Sequence, residues 1–161
     1  VPIIPAWIMR HSVLDLSPHR SLVVWLRDRG FEVHVRSWRN PDAADSDLSI
    51  QDYLDQGPRA AMDHLSARGA ERDHLAGYCL GFTLAAIAAA AMARDGDGRL
   101  ASPTLLAAQA DFEESGKLGL FVDESGIAFL EDVMAAQGFL RADQMAGAFR
   151  LLRSATSSGA A

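Results

Sequence analysis

Two residue types are nearly absent from this chain. Cys79 is its one cysteine and Lys117 its one lysine, in 161 residues. A single cysteine excludes an internal disulfide and fits a reducing compartment. With no cysteine pair and no close pair of histidines, no metal site is expected. Basic residues number 15 against 21 acidic ones, a net charge of −6, so there is no basic footprint for nucleic acid. No histidine follows Cys79: His11, His19, His34, His64 and His74 all precede it. No basic leader or cleavage site opens the chain, so no signal peptide is expected. Val1-Pro2-Ile3-Ile4 begins in strand character without a methionine, and Ser154 to Ala161 has almost no apolar bulk. We read the chain as a piece of a larger protein ending in a disordered tail.

What is present supports one core. Hydrophobic residues make up 49% of the chain, and its length bounds it to one domain at most. From Leu75 to Ala93 no residue is charged, close to a spanning length. Gly77, Gly81 and the many alanines there fit a buried strand and helix better than a membrane span.

Strand and helix patterns alternate. Val1 to Met9 reads as a strand frayed by Pro2 and Pro5. Ser17-Pro18 reads as a helix start, with the helix running to Arg29. Leu22, Val23, Trp25 and Leu26 are its expected buried face, and Gly30 its C-terminal glycine. Phe31 to Trp38 alternates apolar and polar residues, a strand pattern. An acidic, solvent-facing loop runs to Asp47. Ser49 to Ala67 reads as helical, but Pro58 predicts a kink or two shorter helices. His74 to Cys79 is a strand, Leu80 to Arg94 a helix, Asp95 to Gly98 a turn, and Leu100 to Ala108 a further buried strand. Ile127 to Ala136 and Ala142 to Arg153 read as amphipathic helices. This order predicts a parallel α/β sheet, with active groups at the carboxyl ends of its strands. Cys79, Trp7, Trp38 and Asp111 fall at such ends.

Gly77-Tyr78-Cys79-Leu80-Gly81 has the G-x-C-x-G form of a nucleophile elbow, in which glycines let a strand turn sharply into a helix. The helix N-terminus carries partial positive charge, which stabilises a thiolate. The Leu80 N–H points where a tetrahedral oxyanion would form. The expected second donor is Ile8, in the loop after the first strand. A thiolate attacking a thioester makes another thioester, so the acyl group stays activated. Cysteine rather than serine therefore argues for acyl transfer over hydrolysis.

Several segments together resemble the poly(3-hydroxyalkanoate) synthases, most of all the class I type. They are Val1-Pro2-Ile3-Ile4-Pro5-Ala6-Trp7-Ile8, Leu14-Asp15-Leu16-Ser17-Pro18, Ser37-Trp38-Arg39-Asn40-Pro41, Gly77-Tyr78-Cys79-Leu80-Gly81 and Phe121-Val122-Asp123-Glu124. The resemblance covers residues 1 to about 153 and implies an α/β-hydrolase fold with an incomplete parallel sheet. It places the core in residues 1–111, the start of a helical cap in 112–153 and the tail in 154–161. It implies polymerisation of (R)-3-hydroxyacyl-CoA with release of CoA and no further cofactor. The implied setting is the surface of cytoplasmic polyester granules, with a homodimer possible at full length. Cys79 matches the family's catalytic cysteine, Leu80 its oxyanion donor, and Trp7-Ile8 its Trp-Ile pair near the first strand. Arg39-Asn40-Pro41 matches a motif of structural role.

Some residues depart from the family pattern. Phe82 stands where the family has a further glycine, tightening the helix against the sheet or crowding the pocket. Pro58 stands where a helix-compatible residue is usual. The family's catalytic aspartate and histidine fall in a later segment, so this chain alone is not expected to turn over. His11, where the family often has an aromatic ring, is read as pocket lining, as are Trp7 and Phe82. The other histidines are read as surface or core filler. Asp111 could mimic a triad acid, and Asp123-Glu124 is read as cap surface. Trp7, Trp38 and Phe121 are read as core more than as substrate-stacking residues. The alternatives are a thioesterase or depolymerase-like hydrolase of the same fold, or a non-catalytic remnant.

Overall fold

A computed structural model describes residues 1–108, 113, 124–141 and 143–144. Two compact units divide the chain. The first comprises Val1–Trp38 and Leu48–Ala110, the second Arg39–Asp47 and Asp111–Ala161.

The first unit is α/β. Its elements are β1 (Pro2–Ile4), α1 (Leu22–Arg27), β2 (His34–Val35), α2 (Ile50–Leu54), α3 (Ala60–Ala67), β3 (Asp73–Tyr78), α4 (Leu80–Arg94) and β4 (Leu100–Leu106). The strands form one sheet in the order β2-β1-β3-β4, and every pairing is parallel. Parallel strands need crossovers, and helices supply them here. The central strands are the most apolar and most buried: Ile3, Ile4 and Leu75 are fully inaccessible. Ile4, Leu54, Leu75, Leu84, Ala85 and Ala88 form the core between the sheet, α2 and α4.

Local chemistry sets the boundaries. Pro5 has no N–H to donate and β1 stops at Ile4. The first helix begins later than the Ser17-Pro18 pattern predicts. Ser21 is its N-cap, with its hydroxyl accepting from the Val24 N–H at 2.8 Å, while Ser17 closes a turn with Arg20. Gly30, at φ +87°, ends it as expected. The Phe31 N–H reaches back to the Leu26 carbonyl and the Gly30 N–H to Arg27, the paired bonds of a Schellman cap. Trp25 is not on a buried face: it is 50% exposed, and the Arg29 guanidinium lies 3.6 Å from its ring centroid.

Pro58 does divide its helix. The Asp55–Arg59 turn is π-helical, and the Ala60 N–H reaches back to the Asp55 carbonyl. The wider turn moves the backbone away from the proline ring, and Pro58 is fully buried there. β4 was expected to be buried, but as the outer strand of the described sheet it is largely exposed, Leu105 to 43%. No helix among the described residues is long and apolar enough to cross a membrane.

In the second unit, α5 spans Glu124–Gln137, slightly longer than the Ile127–Ala136 pattern. Arg39 joins both carboxylates of a short capped turn, Asp42 at 2.7 Å and Asp45 at 2.6 Å. The Ala44 N–H and then Arg39 hold the Asp42 carboxyl below its ordinary range. Asp111, Phe121, Asp123 and the tail lie outside the described residues, as does the Ala142–Arg153 pattern apart from Asp143 and Gln144.

Candidate active site

Cys79 is the apex of the turn between β3 and α4. It adopts φ 55°, ψ −127°, a conformation costly for a residue with a side chain. Its backbone is fixed on both sides. Its N–H donates to the Leu106 carbonyl at 3.0 Å, and its carbonyl accepts from the Phe82 N–H at 2.9 Å. The thiol is free and half-buried.

The flanking glycines are required by close approach. A Cβ on Gly77 would lie 2.6 Å from the Phe82 Cα and 2.8 Å from the Gly81 carbonyl oxygen. A Cβ on Gly81 would overlap the Ile4 carbonyl oxygen and lie 2.7 Å from the Pro5 carbonyl carbon. The two glycines thus let the start of α4 fold onto β3 on one side and onto the end of β1 on the other. Ile4 pairs with Gly77 across the sheet, so the loop after β1 leaves the sheet beside the elbow.

That loop carries Trp7 and Ile8. The Met9 N–H donates to the Ala6 carbonyl at 3.1 Å, which closes a turn with Trp7 and Ile8 at its centre. A turn of this kind uses the N–H of its fourth residue and leaves those of its central residues out of the bond. Leu80 is the first residue of α4, where a backbone N–H has no acceptor within the helix.

An aromatic group sits behind the loop. Trp7 packs on Tyr53 with ring centroids 5.3 Å apart, and Trp38 packs on Tyr53 at 5.4 Å. All three rings border the core. Tyr53 is placed by α2, whose N-terminus is a capping box between Ser49 and Asp52. The Ser49 hydroxyl and N–H hold the Asp52 carboxyl below its ordinary range. Spacing alone did not reveal this three-ring group, because its members come from three separate segments.

The remaining candidates scatter. His11 is exposed beyond the loop, with Nδ1 3.1 Å from the Ser37 Oγ. Phe82 is buried, 4% exposed. His34 pairs with Pro2 and His74 with Ser102, at the amino ends of β1 and β4, the end of the sheet away from Cys79. His34 and His64 stack edge to face at 5.6 Å and line a cavity of about 360 Å³ with Arg36. Glu124 is exposed at the start of α5. Among the described residues, no three His, Cys, Asp or Glu side chains converge as metal ligands would.

The fold is thus a parallel α/β sheet, and the site a strand–turn–helix with a lone thiol at its apex. No family model matches the chain. Curated relatives do. It is 40% identical over 152 residues to a poly(3-hydroxyalkanoate) polymerase of Methylorubrum extorquens. It is 41% identical over 152 residues to the poly(3-hydroxyalkanoate) polymerase subunit PhaC of Rhizobium meliloti. It is 33% identical over 156 residues to the subunit of that name from Cupriavidus necator. These alignments cover 93–94% of this chain and 25–26% of each relative. The chain is thus similar to poly(3-hydroxyalkanoate) polymerases over nearly all of its own length, and spans about a quarter of the length of these relatives.

Proposed function

We propose that this chain supplies the nucleophile-bearing part of an α/β-hydrolase-type acyltransferase that polymerises (R)-3-hydroxyacyl-CoA. The observation that carries the reading is Cys79, held at positive φ between β3 and α4 within the segment shared with the polymerases. In this reading the Cys79 Sγ attacks the thioester carbonyl, and the C–S bond to CoA breaks. The hydroxyacyl group is then on Cys79, and CoA leaves as the thiol, carrying the proton that Cys79 gives up. The hydroxyl of a second hydroxyacyl unit attacks the Cys79 thioester, forms an ester bond and returns a thiol. The Leu80 and Ile8 N–H groups stabilise the oxyanion that forms at each attack. A histidine that follows the nucleophile in chain order, as α/β-hydrolase folds arrange it, is the base that makes both steps fast and repeated, while a single slow capture needs only the thiol of Cys79. The five histidines of this chain all precede Cys79 and take no part. Neither metal nor further cofactor enters these steps. The whole enzyme acts on cytoplasmic polyester granules, as a homodimer.

The test is acyl capture. The purified chain, incubated with (R)-3-hydroxybutyryl-CoA, is expected to gain one hydroxyacyl unit on the Cys79 peptide by mass spectrometry. Cys79→Ala should gain none, and CoA release should stop near one equivalent. Steady release of free hydroxy acid would mark a hydrolase instead. A folded chain that captures nothing would remove the nucleophile assignment. A chimera carrying this chain in place of the matching segment of the Methylorubrum extorquens polymerase should form polymer, and lose it with Cys79→Ala.

A further inference from the structure

We propose that Trp38 is a positioning residue for the loop that presents the Ile8 N–H, acting through the Pro5 carbonyl. The inference rests on the reading of Cys79 and Ile8 as nucleophile and oxyanion donor.

The strand ladder of β1 ends at Ile4, and Pro5 has no N–H. The loop is therefore fixed through its carbonyls. The Pro5 carbonyl accepts from the Trp38 Nε1–H at 2.9 Å, across 33 residues of sequence. The next carbonyl, that of Ala6, accepts from the Met9 N–H at 3.1 Å. Two successive carbonyls thus set the direction of the peptides that follow, and the Ile8 N–H belongs to those peptides. Pro5 is fully buried, so its carbonyl has no easy substitute for the indole donor.

Trp38 is itself immobilised from several sides. Its ring packs on Tyr53 at 5.4 Å, and the Arg36 guanidinium lies 4.9 Å from its centroid. Gly57, in the π-helical turn, leaves room for it: a Cβ there would stand 2.7 Å from the indole Cη2. The seat, the ring and the hydrogen bond form one chain of contacts from the Pro58 turn to the oxyanion loop. A phenyl ring fills part of the same space and cannot donate. A buried carbonyl that loses its donor turns toward another, and the adjoining peptides turn with it. A donor displaced by about 1 Å lowers a well-aligned reaction by about 100-fold.

The experiment compares two reactions of the same thiol. Acylation by (R)-3-hydroxybutyryl-CoA passes through an oxyanion; alkylation by iodoacetamide does not. In Trp38→Phe, Cys79 acylation is expected to slow by about 10- to 100-fold, with alkylation unchanged within about twofold. Replacing the indole by benzothienylalanine, which keeps its shape and lacks the N–H, should give the same split. It keeps the test decisive if Trp38→Phe does not fold. Gly57→Ala, which displaces the ring, should slow acylation in the same direction. Equal slowing of both reactions in the isosteric variant would mean that Trp38 only supports the fold, and would overturn the proposal. Unchanged acylation there would overturn it as well, while leaving Cys79 as nucleophile. A wild-type chain that alkylates but never acylates would remove the reading of Cys79, and this inference with it.

Discussion

Gly81 and Ile4 leave no space for a side chain between them: a Cβ on Gly81 would overlap the Ile4 carbonyl oxygen. The obstacle is backbone in the central strand of the sheet, which cannot move aside as a flexible side chain would. Gly81→Ala is therefore expected to destabilise the chain by about 3 kcal/mol or more, at the upper end of overpacking costs. Gly98 has open space around its Cβ position. Gly98→Ala should stay within about 0.5 kcal/mol of wild type. Urea unfolding of both variants measures the contrast. Similar midpoints would mean that α4 and β1 are not so closely joined.

The φ of 55° at Cys79 predicts a conflict between stability and chemistry. A non-glycine residue in this region stores about 1–3 kcal/mol of strain, and glycine removes most of it. Cys79→Gly should be more stable than Cys79→Ala by about 1 kcal/mol, with no acyl capture in either. Urea midpoints of the two variants decide the matter. An alanine variant as stable as the glycine variant would show that the turn is relaxed.

How much of this was legible in the sequence depends on the range of the interactions. The elbow and α4 were readable because a glycine-flanked motif and an uncharged run encode them locally. The limits of α4, Leu80–Arg94, emerge as read. Pro58 was readable as an interruption, since proline acts on its own turn, though the π-helical form was not. Trp25 misled: its spacing fits a buried face, but it is an exposed ring beneath Arg29. Ser17-Pro18 misled too, because the capping hydroxyl is that of Ser21. The bond from Trp38 to Pro5 could not be seen, since it spans 33 residues and depends on how two loops leave adjacent strands.

Phe82 tests whether a bulky residue next to the elbow serves packing. It is 4% exposed, in the helical turn that closes against Gly77. Phe82→Ala should cost about 3–5 kcal/mol through the cavity it leaves. If Phe82 serves the core and not the thiol's surroundings, iodoacetamide should alkylate Cys79 at the wild-type rate under native conditions. Alkylation faster by tenfold or more, at a temperature where the variant is still folded, would show instead that Phe82 shields the thiol.

The acid limb of stability should depend on Arg99. Its guanidinium bonds Asp97 at 2.6 Å and Asp63 of α3 at 2.7 Å, tying the start of β4 to the helix layer. Arg99, first through its side-chain hydrogen bonds, then through its backbone N–H and least through the Coulomb attraction, holds the Asp97 carboxyl below its ordinary value of 3.8. A carboxyl depressed in the folded state binds fewer protons there than in the unfolded chain. Its contribution is thus complete above about pH 4 and disappears as pH falls through the lower folded value. Urea midpoints measured from pH 6 to pH 2 should fall in the wild-type chain, and fall less steeply in Arg99→Gln. Asp52, held down by Ser49, supplies part of the acid dependence that remains. Identical acid limbs in the two proteins would show that the Arg99 cluster contributes nothing to folding.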